Sequence, residues 1–114
     1  MLTIEQLKQF GANTDEGIAR CAGMEALYLR LVKMIPAEKS FEILKTALEA
    51  NDLDEAFTAA HTLKGVLGNL SLTPMYDICA DMTEKLRQRT AMDYSSQLNE
   101  LLDKKAQLDA ICAE

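Results

Sequence analysis

The sequence predicts an all-α fold: an antiparallel four-helix bundle with short additional helices at its N-terminus. Three observations carry that expectation. Leu, Ala, Met, Glu and Lys, all strong helix formers, dominate a chain that is 48% hydrophobic but only 5% aromatic, with no Trp. Two prolines and five glycines leave little material for hairpins. Helix-start signals recur along the chain and separate amphipathic segments with connections of a few residues, which makes neighbouring helices antiparallel. At 114 residues the chain is read as one domain over 1–114, with short helices in 3–22 and the bundle over about 24–113.

The elements follow in order. Thr3 with Gln6 reads as a capping box that opens a short helix to about Phe10. Asn13 with Glu16 starts a second short helix, broken near Gly23. "MEALYLRLVKMI", residues 24–35, is a longer amphipathic segment. Pro36 suits the first turn of the next helix, which runs to about Ala50. Asp52 with Glu55 caps a helix to about Leu70, Thr73-Pro74 begins another to about Arg89, and Thr90 with Asp93 opens the last. The N-terminal pieces are expected to pack across one end of the bundle.

Composition excludes several function classes. A net charge of −6 without a basic stripe argues against nucleic acid as a partner. No apolar run approaches the roughly 20 residues of a membrane span, and "MLTIEQLKQF" lacks a secretory signal. Cys21, Cys79 and Cys112 are odd in number and show no motif, which suits a reducing cytoplasm and small buried hydrophobes. The six methionines, Met75 and Met82 among them, read as core filler. A single histidine without paired Cys or Asp ligands cannot close a metal site.

The chemistry concentrates in "AAHTLKGVLGNLSL", residues 59–72, which holds that histidine. Ala56, Ala60, Leu63, Leu67 and Leu70 fall within a stripe roughly 80° wide, the core-facing side of the helix. His61 lies about 140° from the stripe's centre and Gly65 nearly opposite it, while Gly68, Phe57 and Lys64 lie at about 120°, 100° and 80°. These five residues form one surface strip. A glycine in an exposed helix interior costs about 1 kcal/mol relative to Ala, so two beside one imidazole suggest close approach by another object. A water-exposed imidazole is largely neutral at pH 7 and can attack an electrophile without a general base. Lys64, one turn on, offers charge to an anionic group. These are the requirements of reversible histidine phosphorylation. No Walker-type loop, nucleotide lid or acidic magnesium cluster is present. The chain therefore has no ATP site or autonomous kinase activity, and another protein must supply the phosphoryl group.

This stretch resembles the H-x-x-K-G core of histidine-containing phosphotransfer (HPt) domains. "LKTALEANDLDEAFTAAHTLKG" is similar to the family's helix–turn–helix approach to the histidine, and "MEALYLRLVKMI" to its second long segment. The resemblance implies a four-helix bundle that takes a phosphoryl group from the aspartyl phosphate of a response-regulator receiver domain, or of a hybrid histidine kinase, and relays it to another receiver. It implies phosphorylation at Nε2 of His61, Lys64 beside the phosphate and Gly65 leaving room for it. It also implies no cofactor of the chain's own, with Mg²⁺ held by the receiver. Ser71 stands where the family often has glycine, so Asn69 or a local 3₁₀ turn is expected to end the helix. Val66 and Leu67 are bulkier than the family's small residues.

Bland alternatives stand beside each reading. Lys64 could be an ordinary solvated lysine, Gly68 could only ease helix packing, and Phe57 could be a docking contact or a ring folded over the bundle's edge. A non-catalytic adaptor binding a receiver-like partner, or the HPt domain of a chemotaxis-type or hybrid kinase, are the competing functions. A sensor-kinase dimerisation domain is disfavoured because Thr62 stands where that motif has Glu. Met1 and a complete bundle favour a free-standing protein, and a monomer is expected.

Overall fold

A computed structural model describes residues 1–114. Seven α-helices follow one another: α1 (Ile4–Phe10), α2 (Thr14–Arg20), α3 (Glu25–Val32), α4 (Ser40–Glu49), α5 (Leu53–Asn69), α6 (Thr73–Arg87) and α7 (Ser95–Cys112), with a 3₁₀ turn at Ile35–Ala37. There are no strands. α5 packs against both α4 and α6, and α6 against α7. Only three residues separate α4 from α5 and α5 from α6, so these side-by-side helices must run antiparallel. Lys105 of α7 lies over the ring of Phe41 of α4, 5.4 Å from its centroid, and ties α7 to α4.

The core is one cluster of 26 buried apolar residues. Ala56, Ala60, Leu63, Leu67 and Leu70, the stripe expected to face inward, are all within it. Burying each of the two fully covered α5 leucines, Leu63 and Leu67, contributes about 1.5–3 kcal/mol.

Several expected starts hold at the level of hydrogen bonds. Thr3 and Gln6 form the reciprocal capping box, Asn13 Oδ1 accepts from the Glu16 N–H at 3.2 Å, and Asp52 Oδ1 from the Glu55 N–H at 3.1 Å.

Other boundaries differ, each for a local reason. The segment from Met24 stays α-helical only to Val32, and Pro36 sits in the 3₁₀ turn instead of opening α4. Glu38 interrupts with extended backbone, ψ 123°, and its carboxylate accepts from the backbone and hydroxyl of Ser40, at 3.3 and 2.9 Å. α4 therefore starts four residues after the proline. Thr73-Pro74 does begin α6 as expected, with Thr73 its first residue and Leu72 in the cap position. Thr90 does not open α7 because its N–H is spent closing α6, on the carbonyl of Lys85 at 3.0 Å. Asp93 instead accepts from the backbone and hydroxyl of Ser95, and α7 begins there. Only two of the six methionines, Met75 and Met82, lie in the core, while Met1, Met24, Met34 and Met92 are exposed. Cys21 and Cys79 are buried and Cys112 half-buried. Burial pushes the Cys79 thiol up to about 12, so it stays protonated and inert.

The N-terminal helices do cover one end of the bundle. The Asn13 N–H donates to the Ser71 carbonyl at 3.0 Å, and Gln6 donates to the side chain of Glu114 at 2.6 Å. A Cβ at Gly17 would collide with the Tyr28 ring and lie 2.9 Å from the Leu70 carbonyl oxygen. Glycine thus lets α2 lie flush on the end of α5. Tyr28, wholly buried beneath it, donates to that same carbonyl at 2.9 Å.

Candidate functional site

His61 stands exposed on the outer face of α5. One turn earlier, the Phe57 ring stacks on it, centroids 5.8 Å apart and planes 15° from parallel. Phe57 is half-buried against the core and roofed by two guanidinium groups, Arg87 at 5.1 Å and Arg89 at 5.3 Å from its centroid. It is thus a ring at the bundle's edge, under cations, that fixes one side of the imidazole. Arg89 also reaches Asp54 with its Nε at 2.6 Å.

On the other side of His61 the helix is bare. A Cβ built on Gly65 meets no atom within 4 Å, so nothing within the fold requires glycine there. Gly68 fits the packing alternative. It is half-buried, and a Cβ there would approach Cε1 and Cδ1 of Tyr76 to 2.9 and 3.1 Å. Its missing side chain admits a ring from α6, so packing accounts for this glycine and it carries no part of the close-approach argument. Lys64 is half-buried and forms no ion pair within the chain.

His61, Lys64, Gly65 and Gly68 line one open cleft of about 400 Å³. The cleft's far wall comes from Glu16 and Arg20 of α2 and from Ser71, Thr73 and Tyr76 around the α5–α6 turn. Ser71 governs that turn. Its backbone is left-handed, φ 52°, its N–H returns to the Gly68 carbonyl, and the Leu72 N–H returns to the Leu67 carbonyl. This is a Schellman ending with serine in the position usually given to glycine. Neither Asn69 nor a 3₁₀ turn ends α5, contrary to the sequence-based expectation. The Ser71 hydroxyl donates to Glu16 Oε1 at 2.9 Å, and the same oxygen receives Arg20 at 3.4 Å.

Lys64, Arg20, Arg87 and Arg89 stand around one accessible imidazole; the arginines pair with Glu16, Glu84 and Asp54, and of the four Lys64 alone has no carboxylate partner. Such a site suits an anion delivered to a nucleophilic nitrogen. No three His, Cys, Asp or Glu side chains converge as a metal-binding group.

The Hpt domain family model matches residues 36–113, which spans α4 to α7 and the bundle that carries His61. The chain belongs to the Hpt domain family. Hpt domains serve phosphotransfer in two-component phosphorelays, interact with receiver domains and carry no cofactor of their own. No curated protein and no solved structure matches the chain significantly. No helix of this Hpt domain is long and apolar enough to cross a membrane. Arg20 and Glu16 fall outside the matched span. Sequence reasoning missed both, together with Tyr76, Arg87 and Arg89. Arg20 reaches the site only because α2 folds back over the α5–α6 turn, and no periodicity within α2 signals that.

Proposed function

We propose that His61 is the phosphoryl acceptor of this Hpt domain, taking the group from the aspartyl phosphate of a receiver domain and relaying it to another. The observation that carries the reading is the exposed imidazole beside the open backbone at Gly65. In the step, the lone pair on Nε2 forms a P–N bond while the P–O bond to the receiver's aspartate breaks. The carboxylate leaves with that electron pair, and the imidazole proton stays on Nδ1. The reverse reaction passes the group onward.

Each neighbour has a task. Lys64, free of ion pairs, meets the charge on the phosphoryl oxygens. Gly65 leaves space for the receiver's active-site loops, and Phe57 holds the imidazole's orientation by stacking. Mg²⁺ belongs to the receiver's acidic pocket. The protein acts as a single copy in the cytoplasm, through a surface of modest area suited to a transient encounter.

The test is incubation with a panel of receivers carrying labelled aspartyl phosphate. Wild type gains label that survives base and is lost in acid, while His61→Gln gains none and melts at the same temperature. Stable binding of a receiver with no transfer of label would mean an adaptor instead.

A further inference from the structure

We propose that Arg20, on α2, is a second phosphoryl-binding residue of the His61 site, held in reserve by Glu16; this rests on His61 being the acceptor. Three observations converge on it. Arg20 lines the same cleft as His61, Lys64 and Gly65. Its helix is fixed there by the Asn13–Ser71 backbone bond and the Gly17 contact with Tyr28 and Leu70. Its one ionic partner is Glu16, at 3.4 Å, with both side chains about half exposed.

The energetics favour a switch of partner. An exposed ion pair of this kind is worth about 0–1 kcal/mol. A phosphoryl group offers up to two negative charges and three acceptor oxygens, and a planar guanidinium can bind two of those oxygens at once. Glu16 is not orphaned when Arg20 leaves, because the Ser71 hydroxyl still donates to it at 2.9 Å. The Ser71 hydroxyl thus holds the carboxylate at the turn, while the anchoring of α2 itself places Arg20 at the cleft's wall. The charge Arg20 brings is supplied from outside residues 36–113, which the family model matches.

The experiment uses the whole chain, with phosphoramidate as a small donor and a phosphorylated receiver as the protein donor. On phosphorylation by phosphoramidate, the side-chain Nε–H resonance of Arg20, assigned by its absence from Arg20→Lys, shifts in wild type. With the receiver, Arg20→Gln slows transfer about tenfold, the loss of one charge-assisted hydrogen bond to the phosphoryl group. Arg20→Lys recovers most of the rate, and Glu16→Gln transfers at the wild-type rate or faster. All three variants should melt close to wild type. Normal transfer by Arg20→Gln, or Glu16→Gln as slow as Arg20→Gln, overturns the proposal and leaves His61 as acceptor. Failure of both donors to phosphorylate wild type at His61 overturns the acceptor reading and this one with it.

Discussion

A Cβ at Gly65 would meet open space, whereas one at Gly68 would sit 2.9 Å from the Tyr76 ring. The two glycines thus make opposite predictions. Gly65→Gln removes a helix-weakening residue, so its melting temperature should equal or exceed that of wild type. Its transfer from a receiver should fall roughly ten- to a hundred-fold, because the reacting groups are held apart. Gly68→Ala should cost about 1–3 kcal/mol by overpacking, visible in denaturant unfolding. Residues 57, 61, 64 and 65 could be set on one face from angular position alone, since helical geometry is local. The role of Gly68 could not, because the ring that fills its space arrives from another helix.

Among the elements, helix starts were easier to read than helix ends. A capping side chain lies three residues from the N–H it accepts, as with Thr3, Asn13 and Asp52. The ends turn on left-handed residues, and four of these are not glycine: Ala22, Asn51, Ser71 and Arg89. A left-handed serine or arginine costs of order 1 kcal/mol or more, and here both are tied to another segment. For Ser71 the contact is Glu16, and for Arg89 it is Asp54. Asn51 is a local signal of such an ending, but Ser71 is not, so the close of α5 is not legible from the residues around it.

The contact between α6 and α7 carries a pH dependence. Asp81 pairs with Lys85 at 2.8 Å and accepts from Gln97 of α7. The Lys85 hydrogen bond, then that from Gln97, holds its carboxyl below the ordinary range. A depressed folded value means the stabilisation is present above the unfolded value and lost as pH falls through the folded one. Asp81→Asn should therefore be less stable than wild type at neutral pH, and the difference should shrink below about pH 4. Urea midpoints measured across that range check it.

At the scale of the molecule, one core runs from Leu2 and Leu7 in the N-terminal segment to Leu108 in α7. We expect residues 1–114 to unfold in a single transition, with helical content and tyrosine signals changing together. Deleting residues 1–23 removes two buried leucines, Leu2 and Leu7, each worth about 1.5–3 kcal/mol, and should lower the melting temperature by about 10 °C or more. Composition and spacing were enough for the all-α class and the order of the bundle helices. They could not reveal that α2 supplies a wall of the site, because that depends on how Gly17 seats against Tyr28 and Leu70.

Locating the phosphoryl group after transfer tests the acceptor role most directly. A receiver labelled on its aspartate is mixed with the wild-type chain, and the labelled protein is digested and mapped. The account predicts one phosphoryl group per chain, bound to Nε2 of His61. Label on any other residue, or a receiver that loses its phosphate without any appearing on His61, would contradict it.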